Sequence, residues 1–491
     1  MATKTKVTKR TPFVGEYNNR SGDPLKDYRL VNAFPEFSKA AQDGAPNVYA
    51  QKRPGLVEFC DVAPDAEGRG LAWFNGHFYA VIGNTVWRIT ATGTTKTAII
   101  TLPSTTGNVA IMVCNSATIG DYLFLADGTV GWVVKLDNSA TQITDIDFPT
   151  PHIPAVTFID GYVLIAKESD VFNSNLDDPF TWANDHYITA EMFPDPIMTL
   201  ARQSNQVVCL GTESIEFFYD NANPSGSPLS RNTGVAAQMG CAAPHAIYQN
   251  EQFCAFVGQS ASGGRAVWKL EGYTPKKIST PYIDRIIDEE TNMVGVTGFG
   301  FRTMGHLFFL INFPTIKRTL VYDIDTQLWH EWSSFIGAPP LSFDPMSSSP
   351  IIHEPFNYTH VADRGDGFIY LLSGTTGDIY KLDPNTYTDE GYAIIVEMRT
   401  DKLDFGSYLR KFISNVKIVA DRYELSNVIG LTWSDDDYET WSNLHTVDLN
   451  DDFPYLGRLG AFRRRAWRLV HVANQPLRVE AIEVLIEEGI S

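Results

Sequence analysis

The sequence predicts an all-β protein, in which a β-propeller-like domain of about seven repeats is followed by a C-terminal β-sandwich. Three observations predict this fold class. A turn followed by a short apolar strand recurs along most of the chain, and the final part changes to longer strands without that period. Helical periodicity is almost absent, with PYIDRIIDEE (281–290) the one fair helical candidate. The hydrophobic share of 44% over 491 residues is enough to bury large cores.

The repeat is a turn residue followed by an apolar or alternating strand. Its copies are FNGHFYAV (74–81), IGDYLFLA (119–126), IDGYVLIA (159–166), QSNQVVCL (203–210), QNEQFCAF (249–256), MGHLFFLI (304–311) and GDGFIYLL (365–372). Their spacing of about 41 to 62 residues is close to the period of propeller blades. Each copy is followed by a second turn and strand, as a short antiparallel sheet requires. We therefore predict a propeller over residues 68–390, with six or eight blades, or two stacked sandwiches, as alternatives.

The region before the repeats differs from them. Residues 1–67 contain few strand-like runs but many polar residues and prolines, which predicts an extended N-terminal arm. The tip of this arm is basic, with Lys4, Lys6, Lys9 and Arg10. A basic tip is either a solvated terminus or, less often, a dock for an acidic partner.

The region after the repeats contains longer strands. They are AIIVEMR (393–399), KFISNVKIVA (411–420), NVIGLTW (427–433), NLHTVDL (443–449), RAWRLVHV (465–472) and PLRVEAIEVLIE (476–487). Strands of this number in about 100 residues suit a compact sandwich, predicted over residues 391–491. Two long segments, 223–244 and 333–357, read as inserted loops that either bind a partner or lack structure.

Charge and cysteine content exclude several classes of protein. The chain has 39 basic and 58 acidic residues and a net charge of −19, so a surface that wraps nucleic acid is not expected. Its five cysteines are scattered and form no C-x-x-C pair, which predicts neither a disulfide framework nor a zinc site. No apolar run of about 18 residues is present and the N-terminus lacks the apolar core of a signal peptide. We expect folding in the cytoplasm and no membrane insertion.

The stretch LTWSDDDYETWSN (431–443) concentrates carboxylates between two tryptophans. It could supply an acid/base pair for glycoside cleavage, oxygen ligands for calcium, or the polar tip of a hairpin. The pattern is similar to the Asp-box of sialidases and related propellers, S-x-D-x-G-x-T-W, with Tyr438 in place of the glycine. In that motif the aspartate bonds backbone N–H groups and the tryptophan packs beneath. We predict a structural turn formed by Ser434, Asp436 and Trp441, between strand NVIGLTW and a strand running through Thr440 and Trp441.

No other motif indicates an enzyme. The sequence lacks H-E-x-x-H and G-x-S-x-G, and GQSASGG (258–264) lacks the Lys-Ser/Thr of a phosphate-binding loop. Neighbouring carboxylates such as Asp177/Asp178 and Glu289/Glu290 diverge on a strand or face water in a turn. We therefore predict no catalytic residue, no cofactor and no metal ligand.

A basic cluster in GRLGAFRRRAWRLVH stands out in this acidic chain. Arg463, Arg464, Arg465 and Trp467 are our candidate interface residues. Stacking on nucleic acid is conceivable for such a cluster. Pairing with carboxylates across the sheet or across a subunit boundary is favoured, because alternate residues of a strand diverge.

Three parts of the chain resemble the tail-nozzle proteins of short-tailed bacteriophages, also called packaged-DNA stabilisation, tail accessory or head-to-tail proteins. They are QKRPGL (51–56), GTESIEFFYDNANPSGSPLSRNTG (211–234), and WSDDDYETWSNLHTVDL followed by GRLGAFRRRAWRLVH. The resemblance spans most of the chain in order. It implies a structural virion protein rather than an enzyme.

The resemblance also implies partners and a location. Six copies would form a hexameric ring in the virion tail, below the portal and the adaptor protein, and extend the channel used in DNA ejection. The ring would help to retain packaged DNA, which passes without sequence-specific binding, and would carry tailspikes or tail fibres and a tail needle or plug. The rival hypothesis is a propeller glycoside hydrolase or carbohydrate-binding protein that acts on surface polysaccharide.

Overall fold

The computed structural model describes residues 6–15, 28–38, 47–62, 66–260, 263–334, 351 and 353–489. Five strands precede the first predicted repeat. They are β1 (Lys6–Pro12), β2 (Arg29–Val31), β3 (Ala33–Ser38), β4 (Asn47–Lys52) and β5 (Gly55–Cys60). Strands β3 and β4 pair with each other, whereas β1, β2 and β5 pair with strands from distant parts of the chain.

The next sixteen strands form four antiparallel blades of four strands each. Blade one contains β6 (Gly68–Phe74), β7 (His77–Ile82), β8 (Thr85–Thr90) and β9 (Lys96–Thr101). Blade two contains β10 (Ala110–Cys114), β11 (Tyr122–Ala126), β12 (Gly131–Lys135) and β13 (Ala140–Gln142). Blade three contains β14 (Val156–Ile159), β15 (Tyr162–Lys167), β16 (Asp170–Asn175) and β17 (Asp178–Thr189). Blade four contains β18 (Ile197–Gln203), β19 (Gln206–Gly211), β20 (Ile215–Asp220) and β21 (Leu229–Ala237).

The turn residues of the repeat explain why these hairpins form locally. In blades one and three the first hairpin turns at Asn75–Gly76 and Asp160–Gly161, and all four residues have positive φ. Asn-Gly and Asp-Gly are the pairs that tolerate this conformation best, and the resulting turn matches the twist of the strands.

Blades five and six are not joined by a loop alone; a helix lies between them. Blade five contains β22 (Met239–Cys241), β23 (His245–Gln249), β24 (Phe253–Ser260), β25 (Arg265–Glu271) and β26 (Thr274–Lys277). Helix α1 (Pro281–Glu289) and a 3-10 turn (Met293–Gly295) lead to blade six, with β27 (Thr297–Thr303), β28 (His306–Phe313), β29 (Arg318–Asp323) and β30 (Leu328–Trp332). The helix predicted at 281–290 is confirmed; Thr280 caps it and Pro281 occupies its first turn.

Blade seven closes the ring with a strand from the start of the chain. Its first three strands are β31 (Tyr358–Asp363), β32 (Ile369–Ser373) and β33 (Ile379–Asp383). Strand β5 pairs antiparallel with β33 as the outer strand of this blade. The innermost strand of each blade, which is β23 in blade five, contacts that of the next blade, and β31 contacts β6, so the ring is closed. The described residues therefore form a seven-bladed propeller rather than stacked sandwiches or a six- or eight-bladed ring.

The last ten strands extend from the propeller into a second region. They are β34 (Thr388–Asp389), β35 (Tyr392–Ala393), β36 (Val396–Arg399), β37 (Lys411–Ala420), β38 (Val428–Ser434), β39 (His445–Asp448), β40 (Tyr455–Gly457), β41 (Ala461–Phe462), β42 (Ala466–His471) and β43 (Arg478–Glu488). In one sheet β43 lies between β37 on one side and β1 and β4 on the other. In the second sheet the order is β30, β2, β36, β42, β38 and β39, so this sheet continues blade six.

The two sheets pack as a sandwich. Inward residues such as Ile418 and Ile482 from the first sheet and Leu431 and Leu469 from the second belong to one buried cluster. The same cluster includes Ile283 of α1, so the sandwich core is continuous with the core beside blades five and six. Further clusters lie between adjacent blades, as expected when neighbouring sheets bury each other's faces.

The N-terminal region differs from the extended arm predicted over residues 1–67. Strands β2 to β5 lie within it, and they complete blade seven and both sheets of the sandwich. Strand β5 lies at the start of the chain, far in sequence from the other strands of blade seven. It is therefore not part of any repeat, and the repeat pattern could not reveal it. Of the predicted basic tip, Lys6, Lys9 and Arg10 lie in β1, and Lys4 lies outside the described residues.

The two predicted insertions also have different outcomes. Segment 223–244 contains β21, the outer strand of blade four, and β22 of blade five. Most of segment 333–357 lies outside the described residues. All five cysteines are free and buried. No helix in the described ranges is long and apolar enough to cross a membrane.

Candidate functional site: a buried polar junction between propeller and sandwich

The acidic stretch forms a hydrogen-bonded turn after β38. Asp436 accepts hydrogen bonds from the hydroxyl of Ser434 (2.8 Å), from the backbone N–H of Thr440 (3.0 Å) and from the hydroxyl of Thr440. The hydroxyl of Ser434 in turn accepts from the N–H of Tyr438 (2.9 Å). Hydrogen bonds from Thr440, the largest cause, lower the pKa of Asp436 below its ordinary value. This side chain organises a turn by accepting local donors.

Two details of the predicted turn need correction. Thr440 and Trp441 are not part of a strand, because the next strand, β39, begins only at His445. Within the loop, Asp437 and Tyr438 both have positive φ (69° and 67°), a conformation that is uncommon for residues other than glycine. Tyr438, which replaces the glycine of the motif, is buried, and its hydroxyl donates to the carbonyl of Thr400 at 3.0 Å.

The candidate interface residues separate into two pairs. Arg463 and Arg464 are exposed. Arg465 and Trp467 are buried (1% and 0% exposed), so their side chains do not reach the surface of this folded chain. The physical reason is that β38 and β42 are neighbours: Arg465 makes a two-point ion pair with Asp435, with both N–O distances at 2.7 Å. Pairing across the sheet, one of the two favoured alternatives, describes Arg465.

Aromatic rings enclose the Arg465 guanidinium. Its central carbon lies 5.0 Å from the ring centre of Trp433, 4.6 Å from that of Phe462 and 5.4 Å from that of Trp467. Stacking of this kind suits a planar, weakly hydrated cation better than an ammonium group. The WSDD and RRRAWR motifs therefore meet inside the sandwich.

A second buried cluster joins the propeller to the sandwich, and we call it the junction cluster. Its members are Arg29, Arg53, Arg318, Glu331, Asp389, Glu397, Arg399 and Arg468. Glu331 lies on β30 of blade six, Arg29 on β2, Glu397 and Arg399 on β36, and Arg468 on β42. These four strands are consecutive in one sheet, so the cluster crosses the seam between the two regions.

Glu331 is the anion on the propeller side of the seam. Arg29 binds it at two points (3.0 and 2.9 Å), and Arg318 binds it from blade six (2.6 and 3.2 Å). Burial alone would raise the pKa of Glu331, but the charges of Arg29 and Arg318 hold it well below its ordinary value. Glu331 is therefore ionised and fully partnered, which suits a structural contact rather than an acid catalyst.

Glu397 is the anion on the sandwich side. It accepts from Arg399 at 2.7 Å, lies 2.9 Å from the Nε of Arg468, and is 2.9 Å from the Nε2 of His353. Burial opposes ionisation here as well, but Arg399 first, and then His353 and Arg468, keep the pKa of Glu397 well below its ordinary value. Arg399 and Arg468 also lie about 6 Å from the ring centre of Trp441, which connects the acidic turn to the junction cluster.

Arg53 holds the N-terminal segment in place. It is fully buried and makes a two-point ion pair with Asp389 (2.9 and 2.5 Å). It also donates to the side-chain oxygen of Asn32 (2.8 Å) and the carbonyl of Ser333 (2.7 Å). Asn32 itself donates to the carbonyl of Ile395 at 2.9 Å. Through these bonds one arginine links the start of the chain, blade six and the segment that enters the sandwich.

Sequence reasoning missed the junction cluster, although its members left signals. Arg53 is the arginine of QKRPGL, a motif used for the resemblance but assigned no role. Glu331 in LWHEW and Glu397 in IIVEMR each interrupt an apolar run. A carboxylate at such a position must find a cationic partner when the strand is buried.

The remaining resemblance motif, 211–234, contains β20 and most of β21, the two outer strands of blade four. Glu216 on β20 and Arg231 on β21 approach to 3.0 Å, and both are largely buried. Burial, the largest cause, raises the pKa of Glu216, and Arg231 opposes this rise. Asp195 accepts from the hydroxyl of Ser214 (2.7 Å) and the N–H of Glu213 (2.8 Å), which fixes the turn between β19 and β20.

The described residues include no group of three or more His, Cys, Asp or Glu side chains placed to hold a metal ion. The carboxylates considered for glycoside cleavage bond the backbone. Asp177 accepts from the N–H of Ala117 (3.0 Å) and Asp178 from the N–H of Phe180 (3.0 Å). Glu290 accepts from the N–H groups of Asn292 and Thr315.

Comparisons with known proteins bear on the fold and the family. Among solved structures, a streptogramin B lyase shares 12% identity, covers 67% of this chain and 98% of its own, and has a TM-score of 0.40. A catalytically inactive virginiamycin B lyase from Staphylococcus aureus with quinupristin shares 10% identity, covers 68% and 98%, and has a TM-score of 0.41. The N-terminal domain of Nup159 shares 11%, covers 72% and 98%, and has a TM-score of 0.38. Such scores say nothing about function.

A comparison with curated proteins finds no match. The family model described as "Bacteriophage P22 Gp10, beta-propeller" matches residues 11–337, about two thirds of the chain. The match begins within β1 and ends just after blade six, so it includes Arg29, Arg53 and Glu331 of the junction cluster. The chain therefore belongs to the family of the bacteriophage P22 Gp10 β-propeller, the stabilisation proteins of the phage tail nozzle.

Proposed function

We propose that this phage tail stabilisation protein is structural and non-enzymatic, and that six copies form a nozzle ring below the portal and its adaptor protein. The ring extends the DNA channel, connects head to tail, and retains the packaged genome until ejection. Its sides anchor tailspikes or tail fibres, its tip receives a needle or plug, and the copies assemble in the host cytoplasm. The family match over residues 11–337 is the observation that carries the proposal.

The buried junction supports this role. A ring that retains packaged DNA needs subunits whose parts do not shift against each other. Here Glu331 of the propeller and Arg29 of the sandwich-side strand form a two-point bond inside one continuous sheet. Because breaking a buried pair leaves an uncompensated charge, the two regions are expected to move as one body.

The charge of the chain supports passage of DNA without sequence-specific binding. Each copy carries a net charge of −19, and an acidic channel wall repels phosphates instead of binding them. The arginines of the junction cluster do not alter this, since they are turned inward and paired with carboxylates.

The proposal is tested by assembly. The purified chain is mixed with the portal-bound adaptor of the same phage, and the products are weighed by mass photometry and imaged by electron microscopy. Six-fold rings on the adaptor are the expected result. Persistent monomers that never join the adaptor, together with cleavage of a surface polysaccharide, would establish the rival glycoside hydrolase.

One variant probes the exposed part of the basic cluster. Of the candidate interface residues, Arg463 and Arg464 reach the surface, and Arg463 donates to the carbonyl of Tyr408 at 2.8 Å. We expect Arg464→Glu to weaken ring formation, because a glutamate here would repel the carboxylates that this arginine is proposed to meet on a neighbouring copy. Arg302→Glu, an exposed arginine on a hairpin of blade six, is the matched control and should assemble normally.

A further inference from the structure

Strand β1 is a regular sheet edge. It pairs with β43 over seven consecutive residue pairs, from Lys6 opposite Glu487 to Pro12 opposite Ala481, without a shift in register. Among the described residues, no strand pairs with the other side of β1. Backbone N–H and C=O groups on an open edge are a template for another strand.

The other edges of similar length are covered or irregular. Strands β30 and β5 are covered by β2 and β34. The pairings of β9, β17 and β21 with their neighbours contain register shifts, and bulges of this kind discourage a further strand. Strand β3 contains Pro35, which has no N–H to donate. Strand β1 ends in a proline of its own, Pro12, but its residues 6–11 form a long edge that, within the described part of the chain, has neither a covering strand nor a register shift.

A cavity of about 290 Å³ lies beside this edge. Its lining is formed by Val7 and Lys9 of β1, Ile486 and Glu488 of β43, and Phe405. Val7 is 41% exposed, whereas Ile486 belongs to the sandwich core, so the cavity opens the end of that core to solvent. A strand added along β1 would cover Val7 and could place one apolar side chain in the cavity.

The charge of β1 selects the kind of strand that fits. Lys6, Lys9 and Arg10 lie on this one short strand of a chain whose net charge is −19. Arg10 already contacts Glu480 and Lys6 lies opposite Glu487 of β43, whereas Lys9 lies opposite Val484 and lines the cavity. Two β1 strands from different copies would place like charges opposite each other, which is destabilising. An acidic strand would gain both backbone bonds and charge pairing.

We propose that β1 is a docking strand for an extended, acidic segment of a partner protein, which adds to the edge and inserts an apolar side chain beside Val7 and Phe405. Side chains of β1 alternate between the two faces, so Lys6 and Arg10 share the outer face and Val7 and Lys9 face the cavity. The partner segment should therefore alternate acidic and apolar residues. This inference does not depend on a six-fold ring.

The test uses the full chain and a named probe, the fluorescein-labelled, end-capped peptide Glu-Val-Glu-Val-Glu-Leu-Glu. We expect saturable binding by fluorescence anisotropy, at least about tenfold tighter than that of the peptide with Lys in place of Glu. Binding should weaken with added salt. Hydrogen exchange should slow at residues 6–12. Equal affinity for both peptides, or no binding up to about 1 mM, would overturn the proposal.

A charge-reversal pair locates the effect. Lys6→Glu/Arg10→Glu reverses the charge of the outer face and should lose about tenfold or more in affinity for the acidic peptide and gain affinity for the lysine peptide. Lys276→Glu on β26, an exposed lysine on another edge strand, should bind like the unmodified chain. Far-ultraviolet circular dichroism confirms that each variant is folded. If β1 becomes protected with rising protein concentration and without peptide, the occupant is a second copy, and the acidic partner is overturned.

Discussion

Arg53 and Asp389 form a two-point ion pair although 336 residues separate them. Their N–O distances are 2.9 and 2.5 Å, and the two side chains are 0% and 1% exposed. Arg53 comes just before β5, which closes blade seven, and Asp389 lies in β34, which pairs with β5 on its other side. The pair therefore fixes the strand that closes the propeller.

Replacing Arg53 with methionine should leave Asp389 buried without its main cation. We expect the free energy of unfolding to fall by about 3–5 kcal/mol, because the cost is that of an uncompensated buried charge. The measurement is urea denaturation followed by tryptophan fluorescence.

The matched control is Arg422→Met. Arg422 also makes an ion pair, with Asp452 at 2.6 Å, but the two side chains are 63% and 74% exposed. Solvent screens such a pair, so the loss should stay below about 1 kcal/mol. Similar losses for both variants would contradict the assignment of Arg53 to the closure.

Lys52 gives the stability of the protein a pH dependence. Its side chain is buried, and its ammonium donates to the carbonyl of Ala473 at 2.8 Å. Burial, followed by the charge of Arg53, lowers the pKa of Lys52 to about 7. The unfolded chain keeps the ordinary, higher pKa and so binds more protons between the two values, which means that stability rises with pH above about 7.

Lys52→Met should remove this slope. From about pH 7.5 to 9.5 the unmodified chain should gain up to about 1.4 kcal/mol per pH unit relative to the variant. Denaturation curves of both proteins at several pH values provide the comparison. Parallel pH profiles would show that Lys52 keeps its proton in the folded state.

Asp435 and Asp436 are adjacent but should respond differently to alanine. Asp436 accepts hydrogen bonds at an exposed turn, so its loss should cost about 1 kcal/mol. Asp435 is the partner of buried Arg465, and its loss should cost about 3 kcal/mol because the guanidinium stays buried. Thermal unfolding of the two single variants tests the order, and a larger effect at Asp436 would reverse our reading of the turn.

The seven hairpins could be predicted because each is a local unit. Residues such as Gly76 and Gly161 mark turns directly before apolar strands, and both have positive φ in the structure. The closing strand β5 could not be found in this way, because its partner β33 lies more than 300 residues away and the pairing has no local pattern.

The pair of Asp435 and Arg465 could not be predicted for the same reason, because it depends on contacts between distant parts of the chain. The sequence predicts β38 and β42 as two strands but does not show that they are neighbours, so it gives no sign that Asp435 and Arg465 meet. The carboxylate and the arginine are in fact partners. Charge pairing between strands depends on sheet order, and sheet order depends on packing rather than on local sequence.

Gly55 should not tolerate a side chain. A Cβ atom at this position, the first residue of β5, would overlap the carbonyl oxygens of Thr386 and Thr388. Both obstacles are backbone, so Gly55→Ala should cost about 1–3 kcal/mol. Gly234→Ala is the control, because its Cβ would meet nothing closer than 3.8 Å. Differential scanning calorimetry gives the melting temperature of each variant. Equal melting temperatures would contradict the crowding at Gly55.

The C-terminal region should not fold when it is expressed alone. A fragment of residues 391–491 retains β43 and β36 but loses β1 and β4, which flank β43, and β2, which flanks β36. Inward residues of these lost strands, such as Leu30 and Ala50, belong to the sandwich core. We expect an aggregation-prone fragment without a cooperative unfolding transition, because two sheet edges and part of the core are exposed. A matched fusion that restores residues 1–62 ahead of 391–491 should recover soluble protein. A cooperative transition in the bare fragment, measured by near-ultraviolet circular dichroism, would show that the N-terminal strands are dispensable for the sandwich.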